Sequence, residues 1–278
     1  MSDRNLTLVS TREFMPLRCG AEGFQAVVAT SRRSFPRHFH AEFGFGLITG
    51  GAQRSASGRG PVEAEEGMLI TVNPGEVHDG IPIGDQPRSW TMLYLDPFIV
   101  SEAVADLTEG QRSEAEFFRP AFSDPALRSS FSALFAAMTD EGYDGSLQSE
   151  EALTLILSRI VEHGPRHGSL RPGCSSIARA RARIDAEPAR PFSLAGLARE
   201  AQMSRFQFLR SFHAETGMTP NAYHLQRRLL AARVLIHNGQ SLAEAALAAG
   251  FADQSHLTRH FTRRFGFSPG AFQRAVRA

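Results

Sequence analysis

The chain has 278 residues, room for about two domains, and carries no lysine, two cysteines and a formal charge of +1. No apolar run reaches the length of a membrane span, and the N-terminal MSDRNLTLVS lacks a basic-then-apolar leader. The expectation is a cytoplasmic protein without a membrane partner. The near-zero charge hides two unlike halves: residues 1–175 hold 15 Arg against 23 Asp and Glu, net −8, and residues 176–278 hold 15 Arg against 6, net +9. An acidic half joined to a basic half is the pattern of a nucleic-acid-binding domain attached to something else. Without lysine, every fixed side-chain cation is a guanidinium, whose planar fork suits phosphate and guanine. Cys19 and Cys174 match neither a zinc spacing nor a disulfide framework and read as inert thiols.

In chain order, residues 22–95 hold short apolar segments separated by Gly, Pro and polar clusters: FQAVVAT, FGFGLITGG, GMLITVNPG and SWTMLYLDP. That rhythm predicts an all-β sandwich or barrel. His38 and His40, two apart on an extended segment, point the same way, and His78 can reach them from a facing turn. Together with Trp90 they are the candidate ligand-binding residues, and Asp79 and Glu76 are expected near the same mouth. Helical patterns follow over about 98–118, 125–140 and 146–163. In the last of these Leu147, Leu153, Ile156, Leu157, Ile160 and Val161 make an apolar face wider than an isolated soluble helix needs. Such a face serves either a dimer contact or packing against the β domain. GPRHGSLRPGCSS is rich in Gly, Pro and Ser and reads as a linker over 164–175.

The basic half contains a repeat. Ser193-Leu194 matches Ser241-Leu242 and Ala198 matches Ala246; one residue is added in the turn, after which Phe208 matches Leu257, Arg210 matches Arg259, Phe212 matches Phe261 and Gly217 matches Gly266. Ser241 with Glu244, and Ser204 with Gln207, form capping boxes. Gly250 supplies a turn residue and Asp253 caps the helix after it. Each unit is therefore helix, tight turn, helix, spanning 193–215 and 241–264. Thr219-Pro220 starts a connecting helix and Asn238-Gly239 ends it; its 18 residues make about 27 Å, against the roughly 34 Å between successive major grooves on one duplex face. One chain can thus read two grooves. On the second helices Phe208, Phe212, Leu257 and Phe261 face the core, while Gln254, Ser255, Thr258, Arg259 and Arg263 are left for DNA. Arg227, Arg228 and Arg264 join Arg263 as candidate phosphate contacts.

The pattern S-x-x-x-[FL]-x-R-x-F followed by G-x-[ST]-P-x-x-[YF], present twice, resembles the C-terminal domain of AraC/XylS transcription regulators over residues 176 to 275. HFHAEFGFGLITGG with GMLITVNPGEVHDG resembles the small cupin barrel that senses effectors in that family. The resemblance implies an α+β multidomain chain: a cupin-like β-barrel (1–97), a helical dimerisation region (98–163), a linker (164–175) and an all-α tandem helix-turn-helix domain (176–278). It carries base reading to Arg205, Phe206, Leu209 and Arg210 in the first unit and to Gln254, Ser255, Thr258 and Arg259 in the second. In the first unit Phe206 and Leu209 can touch only a thymine methyl or sugar, so Arg205 and Arg210 must do the reading. The implied function is a ligand-responsive regulator, in the activator mode commoner in the family, with promoter DNA, a small-molecule effector, RNA polymerase and a second copy of the chain as partners. No cofactor and no catalytic residue are implied. Enzymatic cupins place a glutamate four or five residues after the second histidine, where this chain has Gly44 and Phe45, so a full metal-ligand set is not evident. A metal-dependent cupin enzyme with a DNA-binding tail, and a constitutive DNA binder with a vestigial barrel, are the rival readings.

Overall fold

A computed structural model describes residues 13–111, 114–140, 147–160 and 176–277. The predicted linker and Cys174 lie outside the described residues. Cys19 is a free thiol whose pKa burial raises to about 11, which keeps it inert.

The N-terminal half forms two antiparallel sheets. One runs β1-β2-β9-β4-β7-β10, built from β1 (Phe14–Leu17), β2 (Phe24–Ser31), β9 (Arg88–Leu95), β4 (Phe43–Gly50), β7 (Leu69–Val72) and the short β10 (Ala121–Phe122). The other runs β3-β8-β5-β6, from β3 (Phe35–His38), β8 (His78–Pro82), β5 (Ala52–Ser57) and β6 (Gly60–Glu65). All four apolar segments picked from sequence lie on strands of the six-stranded sheet.

The stretch FGFGLITG on β4 explains how this sheet serves two sides. Phe43, Phe45 and Leu47 alternate onto the outer face. Gly44 and Gly46 lie on the inner face, where any Cβ would collide with Met92. Large residues thus build one core and small ones leave room on the other side. The outer face is covered by helices α1 (Pro97–Leu107), α2 (Pro125–Met138) and α3 (Leu147–Ile160), which join Phe43, Phe45, Leu47, Leu93 and Leu95 through Val100, Val104, Phe131, Leu134, Ile156 and Leu157.

One expectation needs correction here, and one open alternative is decided. The first helix stops at Leu107 instead of running to 118, because Glu109 and Gly110 both take positive φ, 51° and 77°, and turn the chain. Among the described side chains of α3, the apolar face packs within the subunit: Ile156 and Leu157 are each 1% exposed in the core beneath it, and Ala152 and Leu153 pack against it. Leu157 is therefore not a dimer contact.

The C-terminal half is all helical: α4 (Ser176–Ala186), α5 (Leu194–Glu200), α6 (Arg205–Thr216), α7 (Pro220–His237), α8 (Leu242–Ala248), α9 (Gln254–Phe265) and α10 (Pro269–Arg277). Both expected capping boxes form, at Ser204/Gln207 and Ser241/Glu244, and Asp253 accepts a hydrogen bond from the His256 amide. The connecting helix α7 has the expected 18 residues, with Thr219 as N-cap and Pro220 at its first turn. It serves two cores. Tyr223 and Leu230 pack with Phe208 and Phe212, whereas Leu229, Ala232 and Ile236 pack with Leu257 and Phe261.

Both cores extend across the domain boundary. Phe14, Val27 and Ala29 of the β domain belong to the second core, and Phe39 to the first. The positive-φ glycines that end the second helices of the two units, Gly217 on α6 and Gly266 on α9, abut the β domain, the first against Arg37 and Val77, the second against the Phe14 ring. The β domain is thus seated on the C-terminal ends of both second helices.

Candidate functional site

On α6 the residues Arg205, Phe206, Leu209 and Arg210 are all exposed, Phe206 to 67%. Arg210 lies over the Phe206 ring at 5.6 Å. On α9 Gln254, Ser255, Arg259 and Arg263 are exposed and Thr258 is half-buried, while Leu257 and Phe261 are fully buried. Every residue expected to read bases, and Arg263, is therefore accessible from solvent, on a helix whose other side is fixed by core residues.

Three of the four arginines expected at phosphates are engaged elsewhere. Arg227 pairs with Asp185 at 2.9 Å. Arg228 donates to the carbonyls of Ala249 and Gly250 and lies over Phe251 at 4.3 Å, closing the turn of the second unit. Arg264 points the other way, into the molecule. These arginines have the same intrinsic chemistry as Arg263, and only their tertiary neighbours separate them.

Arg264 lines a cavity of about 420 Å³ between the inner face of the β domain and the helices α7, α9 and α10. Its walls include Val72, Met92 and Tyr94 from the strands and Phe265, Phe272 and Val276 from the helices. All four predicted ligand-binding residues, His38, His40, His78 and Trp90, line it, as do Glu76 and Asp79. Trp90 stands edge-on to Phe14 at 5.6 Å and to Phe35 at 6.3 Å, at the seam between the domains.

The cations around this cavity differ in how well they are satisfied. Arg88, 1% exposed, donates to Gln53, to the Arg33 carbonyl and to the Gly80 carbonyl, and stacks over Trp90 at 4.9 Å. Arg233 on α7, 6% exposed, pairs with Glu42 at 3.3 Å and donates to Gln25, both on the β domain. Arg264 has no carboxylate partner among the described residues, and its Nε, like that of Arg233, is buried without a hydrogen bond. Burial pulls its pKa down to about 9, with nearby Tyr94 acting slightly the other way. An underpaired guanidinium drawn partly out of water is stabilised where something anionic meets it.

The three histidines converge. Their ligating nitrogens all lie within 4.8 Å of one another. His38 and His40 are 8% and 9% exposed. Burial pushes both imidazoles well below the usual value, His78 follows for the same reason, and the positive charge of Arg264 adds to all three. All three are neutral at neutral pH. The Nδ1–H of His38 donates to the Pro36 carbonyl at 2.8 Å and that of His78 to the Glu76 carbonyl at 2.9 Å. A carbonyl can only accept, so each ring's Nε2 carries the lone pair.

Arg233, Gln226 and Glu42 were not singled out from sequence. Gln226 is 2% exposed and donates to the Phe39 carbonyl at 2.9 Å, so with Arg233 it fastens α7 to the β domain. The only signal was a charged residue, Arg233, set within the apolar stripe Leu229, Ala232 and Ile236.

The AraC-like ligand binding domain model matches residues 26–157, and a helix-turn-helix domain model matches 197–275. The HTH-type transcriptional regulator YbfI of Bacillus subtilis (strain 168) is 25% identical over 228 residues, covering 81% of this chain and 82% of that protein. The virulence regulon transcriptional activator VirF of Yersinia enterocolitica is 38% identical over 79 residues, which is 28% of this chain and 29% of VirF. Among solved structures, unsaturated fatty acid bound ToxT from Vibrio cholerae superposes with a TM-score of 0.52 at 10% identity, covering 98% of this chain and 97% of ToxT. At that identity the likeness is one of fold.

Proposed function

Since the chain belongs to the AraC/XylS family of DNA-binding transcription regulators, we propose that its effector is a small organic acid bound in the interdomain cavity. The observation that carries this reading is Arg264, a half-buried guanidinium that lines the cavity with no carboxylate partner among the described residues and with its Nε buried without a hydrogen bond. An acid's carboxylate would offset the desolvation of Arg264, and its apolar part would fill the space between Met92 and Phe272. Because Arg264 stands on α9, the same helix that carries Gln254 and Arg259, occupancy of the cavity acts directly on the pose of a recognition helix. Solved ToxT holds an unsaturated fatty acid, a ligand of this chemical class.

In this reading Arg205, Arg210, Gln254, Ser255, Thr258 and Arg259 read bases, Phe206 and Leu209 touch sugar or thymine methyls, and Arg263 holds phosphate. The protein acts in the cytoplasm on promoter DNA, as an activator like the VirF it resembles, through contact with RNA polymerase. A second copy docks through the exposed side of α3, where Leu155 is 62% exposed. The β domain is a sensor and performs no catalysis. Where enzymatic cupins carry a ligand glutamate it has Gly44 and Phe45, the first crowded by Met92 and the second packed edge-on to Phe131.

A thermal-shift screen of the full chain tests the effector class. Acids that fit should raise stability by roughly 2.7 kcal/mol at a hundred times their dissociation constant, their primary amides should not, and Arg264→Gln should erase the difference. Equal shifts from acids and amides would remove the carboxylate from the reading.

Base reading is tested by selecting binding sites with variants. Arg259→Ala and Arg210→Ala should each relax preference by about 1–3 kcal/mol, at different base pairs about one helical turn apart. Arg263→Ala should weaken all sequences alike. Loss of preference at the same base pairs in both arginine variants would mean that the two units do not occupy separate grooves.

A further inference from the structure

The second helices of the two units are alike in one arginine and unlike around it. The repeat that aligns Arg210 with Arg259 also aligns Phe206 with Ser255, Leu209 with Thr258 and Ala214 with Arg263. Where the second unit carries hydroxyls, the first carries Phe206 and Leu209, 67% and 36% exposed. Phe206 is the most exposed large apolar side chain among the described residues, while Phe208 and Phe212 on the same helix are fully buried. The core therefore does not need the Phe206 ring. The capping box of Ser204 and Gln207 brackets it and fixes the backbone that carries it.

Charge and shape together select the partner of this face. Arg205 and Arg210, both exposed, favour an anionic surface over an apolar protein groove. On the major-groove edge a guanidinium fork matches the O6 and N7 of guanine, and the apolar group displayed there is the C5-methyl of thymine. A ring laid over a purine edge or a cytosine amino group would take polar atoms out of water with no hydrogen bond in return. The Arg210 guanidinium stands 5.6 Å from the Phe206 centroid. That is less than two of the roughly 3.4 Å steps between successive bases of a strand, so the ring meets the base pair adjoining the one the guanidinium reads.

We propose that the first unit recognises a thymine adjoining a guanine, with Phe206 resting on the thymine C5-methyl and Arg210 forked on the guanine. This rests on the assignment of base reading to α6 made above and names the step that α6 reads. The second unit offers the hydroxyls of Ser255 and Thr258 at the matching places, and Arg263 for phosphate where the first unit has Ala214. The two half-sites are then not interchangeable, and one chain binds its site in a single direction.

The experiment uses the full-length chain and duplexes carrying its selected site. Arg210→Ala first locates the guanine, as the position whose preference it relaxes. Replacing the adjoining thymine by uracil keeps the pairing with adenine and removes only the methyl. Binding should weaken about 4-fold, as for one methyl group no longer taken out of water. At the same place, 5-methylcytosine opposite guanine should bind about 4-fold more tightly than cytosine, by the same physics. In Phe206→Ala both ratios should fall to about 1, with an unchanged thermal melt, and thymine-to-uracil ratios in the half-site located by Arg259→Ala should stay as in the wild type. A selected site without thymine beside that guanine, uracil bound as tightly as thymine, or discrimination undiminished in Phe206→Ala would each overturn the proposal while leaving base reading by α6 intact. An Arg210→Ala variant that relaxes no position would instead overturn base reading by α6, and the proposal with it.

Discussion

Leu157→Arg is expected to unfold the N-terminal half. Leu157 is 1% exposed in the core that joins α3 to the outer face of the six-stranded sheet, alongside Phe131, Leu134 and Ile156. The substitution removes a buried leucine, worth about 2–5 kcal/mol by truncation alone, and places an unpaired guanidinium in an apolar interior, which costs several kcal/mol more. That sum is comparable to the roughly 5–15 kcal/mol that holds a typical domain. Circular dichroism and urea melts of the full chain read it directly. Leu155→Arg, on the exposed side of the same helix, should leave the melt nearly unchanged and report on self-association instead. A well-folded Leu157→Arg monomer would mean that α3 does not pack as described.

Arg233→Met is expected to cost roughly 3–5 kcal/mol of stability. The Arg233 side chain is 7% exposed and that of its partner Glu42 16%, and Gln25 accepts a second hydrogen bond from the same guanidinium. Removing Arg233 leaves Glu42 largely desolvated and unpaired, which is the source of most of the penalty. The methylene stem is kept by methionine, so the loss reports charge and hydrogen bonding and not volume. Converting the partner as well, in Arg233→Met with Glu42→Met, should recover most of the loss, since replacing a buried pair by apolar residues is often neutral. Urea denaturation of the four proteins forms a double-mutant cycle. A single-variant cost below about 1 kcal/mol, or a double variant no better than the single, would show that the pair does not fasten the domains. The same variants should bind promoter DNA with little response to the effector, because α7 would no longer carry the state of the β domain to both units.

Much of this protein was determined by local sequence. Caps, turn glycines and helical periodicity depend on residues within a few positions of one another, so both helix-turn-helix units, the two capping boxes and the 18-residue α7 were legible before any fold was known. The short apolar segment FGFGLITG, bounded by glycine and polar clusters, likewise announced a strand. The overlong expectation for α1 came from the same periodicity, which does not register that Glu109 and Gly110 take positive φ. The pair His38 and His40 was found from spacing, but that three imidazoles meet depends on β3 and β8 pairing His38 with His78, a contact across 40 residues of chain. Partner identity is decided only by tertiary structure. Periodicity can say that α3 has a wide apolar face, not whether a sheet or a second molecule covers it; the sheet does, through Ile156 and Leu157. Composition can say that the C-terminal half is basic, not which arginines face DNA. Arg227, Arg228, Arg233 and Arg264 are drawn inward by Asp185, by turn carbonyls, by Glu42 and by the cavity, while Arg259 and Arg263 stay outside. A guanidinium carries the same charge in every one of these places, and what it does there is set by neighbours that lie far away in sequence.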